Sequence, residues 1–166
     1  RSKRGKPMAK SLAEELFEAG GIRGMVGGQW LDLEAENRQL DLPGLMAVHR
    51  GKTGALIRSA LVLGGIAAGA TTAQLDALRR FGEEIGLAFQ VADDVLDATA
   101  TTEALGKTAG RDAELAKSTY VGLLGVEGAR AEAARHQALA ITALTDAGLP
   151  TETLGALARY IVSRAS

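Results

Sequence analysis

Three carboxylates fall within five residues in the stretch Gln90-Val91-Ala92-Asp93-Asp94-Val95-Leu96-Asp97. On a helix, Asp93 and Asp97 share one face and Gln90 lies a turn earlier on the same side. Asp94 is rotated away by about 100° and borders that face. Like charges at this spacing repel, so the helix gains nothing from them. Apolar neighbours, Phe89, Val91, Ala92, Val95 and Leu96, argue against full solvation. Oxygen donors with no His or Cys beside them suit Mg²⁺ better than zinc, and Mg²⁺ keeps waters and bridges to phosphate oxygens. A phosphorylated substrate is the matching chemistry. On spacing alone, an acidic solvated face fits the same three aspartates equally well.

Two basic stretches bear on that choice. His49-Arg50-Gly51-Lys52-Thr53-Gly54 sets a lysine and a hydroxyl between glycines, early in a helical segment. An ammonium, a hydroxyl and exposed backbone N–H groups suit a diphosphate. The Walker A spacing is absent. The second stretch runs from Leu105-Gly106-Lys107-Thr108 to Lys117-Ser118-Thr119-Tyr120, with Lys107 ten residues beyond Asp97. Taken alone, either cluster is more often a solvated surface. His49, with no second His nearby, fits a hydrogen-bonded structural role better than a metal site. Gln29 and Asp32 form an i, i+3 pair elsewhere. A buried Asp must be paired, so this pair either lines the same cavity or caps a neighbouring helix.

The elements that must hold these groups are helices. Ala, Leu, Glu, Arg and Gln dominate, and the 3 prolines (Pro7, Pro43 and Pro150) stand where they punctuate rather than interrupt. Leu75, Leu78, Phe81, Ile85, Phe89 and Ala92 recur at helical spacing, capped by Thr71-Thr72 and continuing to about Ala98. Asp41 before Leu42-Pro43 starts another helix, and Thr151 begins a last one ending near Arg164. The reading is an all-α domain of about six helices, residues 11–166, after a basic loop-like stretch, residues 1–10. Glycines inside the helical patterns let a neighbouring helix or a ligand approach the backbone.

Bulk properties narrow the classes. With 19 basic and 20 acidic side chains the net charge is -1, which gives no global argument for nucleic acid. Aromatic residues are only 4%, too few for base-stacking platforms. Without cysteine there is no disulfide framework and no thiol nucleophile. The longest apolar stretch, residues 60–70, is too short to span a bilayer. A soluble, cytoplasmic protein is the default expectation.

In order and spacing, the motifs resemble the trans-isoprenyl diphosphate synthases, the polyprenyl synthetase family, and within it the bacterial farnesyl diphosphate synthases. They are Gly24-Met25-Val26-Gly27-Gly28-Gln29-Trp30-Leu31-Asp32-Leu33, then His49-Arg50-Gly51-Lys52-Thr53-Gly54-Ala55-Leu56, then Gly86-Leu87-Ala88-Phe89-Gln90 leading into the aspartates, then Leu105-Gly106-Lys107 and Lys117-Ser118-Thr119-Tyr120. The match runs from about Ala19 to the Tyr160-Ile161-Val162-Ser163-Arg164 end. The resemblance implies the isoprenoid synthase helical bundle around a deep apolar cavity. It implies Mg²⁺ as cofactor, held by two aspartate-rich motifs, with Asp93, Asp94 and Asp97 matching the second. Lys52, Lys107 and Lys117 match lysines that hold the allylic diphosphate. Thr53 and Gln90 match groups near the developing allylic cation, and Gln29 and Asp32 match polar residues near the metal–diphosphate cluster. The implied reaction condenses an allylic diphosphate with isopentenyl diphosphate to a product of the farnesyl or geranylgeranyl type, in an enzyme that is a homodimer when intact. A non-catalytic regulatory subunit of such an enzyme is the alternative.

The sequence also departs from the family pattern. Ala100-Thr101 stands where the family commonly has Gly-Asp before Thr. The first aspartate-rich motif is absent, and Arg4-Gly5-Lys6-Pro7 looks like its tail. Pro7 and Gly27 are closer than the family's intervening helix allows, and the first residue is Arg1, not Met. The expectation is therefore the C-terminal half of a longer protein, incomplete as a bundle, with a segment missing between about Pro7 and Ser11. Alone, such a piece supplies one wall of the metal site and is inactive.

Overall fold

A chain this rich in strong helix formers, interrupted only by short cap and turn sequences, is expected to partition into helices joined by short connections. The computed structural model describes residues 5–36, 38–99 and 118–164. In chain order its helices are α1 (Gly5–Gly20), α2 (Met25–Glu34), α3 (Leu42–His49), a π-helical turn (Arg50–Gly54), α4 (Ala55–Ala68), α5 (Thr72–Thr99), α6 (Tyr120–Asp146) and α7 (Glu152–Ser163). No strand occurs among the described residues. The all-α expectation holds, with seven α-helices among the described residues where about six were expected.

Helix starts follow local chemistry. The Asp41 carboxylate accepts from the Gly44 N–H at 2.9 Å, with Pro43 in the first turn of α3. At the head of α5, Thr71 and Gln74 exchange hydrogen bonds reciprocally: the Gln74 side chain accepts from the Thr71 N–H and the Thr71 hydroxyl from the Gln74 N–H. Thr119 caps α6 by accepting from the Gly122 N–H at 3.0 Å. Within α6, Gly125 takes φ 72°, a conformation open to glycine, and kinks the helix one turn from its start.

One expectation needs correction. Residues 1–10 were read as loop-like, yet from Gly5 onward they form the first turns of α1. Pro7 sits near the helix start, where its missing N–H costs nothing. Ser11 Oγ donates to the Pro7 carbonyl, and Lys10 pairs with Glu14 one turn on. The helix passes positions 7 to 11 without a break.

The core lies along α5. Phe81, Ile85 and Ala88 pack against Ala140 and Leu144 of α6 and Ala158 of α7. Further along, Val91, Ala92 and Val95 pack against Leu45 of α3 and Tyr120, Ala129 and Ala133 of α6. The spacing Phe81, Ile85, Ala88, Ala92, Val95 is one continuous helical face. Burying it on three neighbours fixes the rotation of α5 and therefore the direction of its aspartates.

Candidate active site

Asp32, Lys52, Thr53 and Gln90 come from three elements, and backbone crossings bring them together. Helix α2 crosses the π turn at glycine: a Cβ on Gly28 would lie 2.0 Å from the Lys52 amide nitrogen, and one on Gly51 would lie 2.8 Å from Gly28 Cα. Helix α5 crosses the same turn at Gly86, where a Cβ would lie 2.9 Å from Gly54 Cα. These glycines therefore serve helix-to-helix approach, one of the two roles open from sequence. The π turn sits between α3 and α4, and the extra residue in its ring re-aims Lys52 and Thr53 away from the α4 register. Sequence patterning placed this segment early in a helix and gave no sign of the π geometry.

Two contacts result. Lys52 Nζ lies 2.6 Å from an Asp32 carboxylate oxygen, with Asp32 mostly shielded. Thr53 Oγ1 donates to Gln90 Oε1 at 2.5 Å. Asp32 thus pairs with Lys52 across the crossing of α2 and the π turn. Gln29, one turn earlier on α2, is exposed. Beyond Gln90 on α5 come Asp93, partly exposed, and Asp97, buried.

Asp94 behaves differently from its neighbours. It is buried, and its carboxylate accepts from the Tyr120 N–H at 2.7 Å. A carboxylate at the first N–H of α6 satisfies an otherwise orphaned donor and meets the positive end of the helix. It ties the end of α5 to the start of α6 across the residues between them. Nearby, Leu40 N–H donates to Ser118 Oγ at 2.8 Å, which draws the segment before α3 to the same place. The Tyr120 ring stacks on His49 with centroids 5.7 Å apart. Burial, then the nearby Asp94 and Glu132 carboxylates, push the Tyr120 phenol well above its ordinary range, so it stays neutral. Tyr120 and Ser118 were not singled out individually as site residues, because their partners lie far away in sequence.

The donor set can be weighed against the implied metal. Mg²⁺ is typically held by one or two carboxylates together with waters and substrate phosphates. Asp93 and Asp97, oxygen donors on consecutive turns, are the residues that would hold it, while Asp94 accepts from the Tyr120 N–H. Among the described residues no three acidic, His or Cys side chains converge on one point. Lys107, Lys117 and Arg4 lie outside the described residues.

Comparison with known proteins places this geometry. The polyprenyl synthetase family model matches residues 8–148. The chain belongs to the polyprenyl synthetase family. It is 47% identical over 161 residues to farnesyl diphosphate synthase of Escherichia coli K12, covering 93% of this chain and 53% of that protein. Among solved structures, a geranyltransferase of Helicobacter pylori complexed with magnesium and isoprenyl diphosphate superposes with TM-score 0.74 at 33% identity, covering 95% of this chain and 50% of that one. A polyprenyl synthase of Caulobacter crescentus complexed with calcium and isoprenyl diphosphate superposes with TM-score 0.84 at 27% identity, covering 94% and 60%. This member of the polyprenyl synthetase family thus spans about half the length of the curated relatives it matches. No described helix is long and apolar enough to cross a membrane.

Proposed function

We propose that this chain is the part of a prenyl diphosphate synthase that carries the second aspartate-rich motif and the lysines facing the allylic diphosphate. The intact enzyme condenses an allylic diphosphate with isopentenyl diphosphate. The observation that carries this reading is the convergence of Asp32, Lys52, Thr53 and Gln90 beside the face of α5 that bears Asp93 and Asp97.

In this account Lys52 presents its ammonium to the departing diphosphate, and Asp32 holds that ammonium in one position. Bound Mg²⁺ supplies charge neutralisation to the leaving diphosphate, with Asp93 and Asp97 as its protein ligands. The Thr53–Gln90 pair fixes two neutral dipoles near the forming allylic cation, where their oxygens favour positive charge without reacting with it. Phe89 and the apolar neighbours of Gln90 keep water from the cation.

Two observations support further helices in the intact enzyme. Relatives are about twice as long as this chain. On α1, α2 and the turn between them, Phe17 (79% exposed), Ile22 (83%) and Trp30 (62%) are turned to solvent, the kind of apolar surface soluble proteins normally cover. We place the first aspartate-rich motif in that missing part, and a homodimer at the level of the whole enzyme.

The isolated chain, incubated with Mg²⁺, an allylic diphosphate and isopentenyl diphosphate, should show no turnover. In the intact enzyme, Asp93→Ala should lower kcat by about 100-fold while the far-UV circular dichroism stays unchanged. Turnover by the chain alone, or an undiminished Asp93→Ala enzyme, contradicts the reading.

A further inference from the structure

Between positions 129 and 143 the buried residues of α6 are Ala129, Ala133, His136, Ala140 and Ala143. Four alanines at helical spacing let α5 and α6 pack closely. The fifth residue, His136, is 1% exposed, so its imidazole must find its partners inside the interface. It finds three. Nδ1 lies 2.6 Å from Glu84 Oε2 on α5, a polar link between the two helices. Nε2 lies 3.2 Å from Glu132 Oε1 and 3.1 Å from Arg135 Nη2, both on α6.

The two partners of Nε2 ask opposite things of it. A carboxylate only accepts and needs an N–H there; a guanidinium only donates and needs a lone pair. Nδ1 faces a carboxylate and keeps its hydrogen in either case. The neutral imidazole then accepts at Nε2 from Arg135, and the imidazolium donates at Nε2 to Glu132. Neither charge state leaves a buried nitrogen unpaired. Solvent is near, because Arg135 is half exposed while it donates to Glu132 through Nε at 2.9 Å and Nη2 at 2.6 Å. Beyond this group, the Tyr120 phenol lies within electrostatic reach of Glu132 and Arg135, and Arg50 of the π turn acts on the phenol in turn. Burial, then Asp94 and Glu132, hold that phenol neutral. Imidazole is the side-chain type in this group whose charge changes near neutral pH.

We propose that His136 is a proton-operated selector inside the α5–α6 interface. Nδ1–H stays on Glu84 in both states and keeps the helices linked. Uptake of one proton from solvent at Nε2 exchanges Arg135 for Glu132 as its partner, so the hold on the Arg135 guanidinium changes with pH. The device uses none of Lys52, Asp93 or Asp97, and it stands or falls apart from the proposed prenyl transfer.

Long-range proton–nitrogen NMR of the whole ¹⁵N-labelled chain, from about pH 8 to pH 5, reads both imidazole nitrogens directly. Nδ1 should keep its hydrogen throughout, and Nε2 should pass from bare to protonated. The Arg135 Nε–H signal should move with the same midpoint, while far-UV circular dichroism stays constant. Glu132→Gln removes the acceptor of the charged state and should lower the midpoint by about one pH unit. Arg135→Gln removes the donor of the neutral state and a nearby positive charge, and should raise it. The parent spectrum alone overturns the proposal if Nε2 does not change state across the range, if Nδ1 rather than Nε2 is bare at high pH, or if Arg135 stays still while His136 titrates. Folded variants that both keep the parent midpoint overturn it as well.

Discussion

At the residue scale the pairings, rather than the residues singly, define the chemistry. Lys52 without Asp32 would be a mobile cation on a turn; with it, the ammonium has a fixed address. In the intact enzyme Asp32→Asn should therefore raise the KM for the allylic diphosphate by roughly tenfold, with far-UV circular dichroism unchanged; an unaltered KM shows that Lys52 needs no such partner. Asp94 is argued differently, because its carboxylate is spent on the Tyr120 N–H. Asp94→Ala strands that buried donor and should cost about 2 kcal/mol in urea unfolding, while Asp94→Asn, which keeps an acceptor, should cost less. Equal losses in the two variants would mean that the negative charge, not the hydrogen bond, matters. A third residue-scale effect lies on α6. The hydrogen bond from Arg135, at 2.6 Å, lowers the Glu132 carboxyl below its ordinary value of 4.5, with the Arg135 and His136 charges adding to it. A carboxyl depressed in the folded state contributes stability that is present above its unfolded pKa. That stability is lost as pH falls through the folded value. The parent should thus lose urea stability on acidification below about pH 4.5 more steeply than Glu132→Gln, and parallel curves would refute the assignment.

Elements explain what could be read from the sequence and what could not. The starts of α3 and α5 were legible because caps are local: Asp41 with Pro43, and Thr71 with Gln74, act within one turn. The aspartate face of α5 was legible for the same reason, through spacing along a single helix. The π turn was not, because it is set by where α2 and α5 cross it, and those contacts join residues 20 to 40 positions apart. Its only trace in the sequence was glycine at Gly28, Gly51, Gly54 and Gly86, which also fitted a ligand-contacting loop. The basic start of α1 misled in the opposite sense, since charge and Pro7 signalled a loop where a helix begins. The crossing gives its own prediction. Gly28→Ala places a methyl against the Lys52 backbone, with no flexible side chain to yield. It should destabilise by about 2 kcal/mol in thermal unfolding and also disturb the Asp32–Lys52 pair. A neutral Gly28→Ala would mean that α2 does not approach the π turn so closely.

At the scale of the whole molecule, the described helices pack as a bundle that spans about half the length of the relatives it matches. The core along α5 packs against α3, α6 and α7. Phe17, Ile22 and Trp30 lie exposed on α1, α2 and the turn between them. On the proposed reading, Asp93 and Asp97 would hold Mg²⁺ together with waters and substrate phosphates, the usual way such a site is completed. The account therefore turns on whether the Lys52 cluster serves diphosphate departure in the intact enzyme. Steady-state transfer of isopentenyl diphosphate onto an allylic diphosphate, measured with saturating Mg²⁺ for the parent and for Lys52→Ala, addresses this directly. The predicted result is a kcat lower by about 100-fold with helix content unchanged. A Lys52→Ala enzyme that turns over within about twofold of the parent, against that expected loss, would contradict the account.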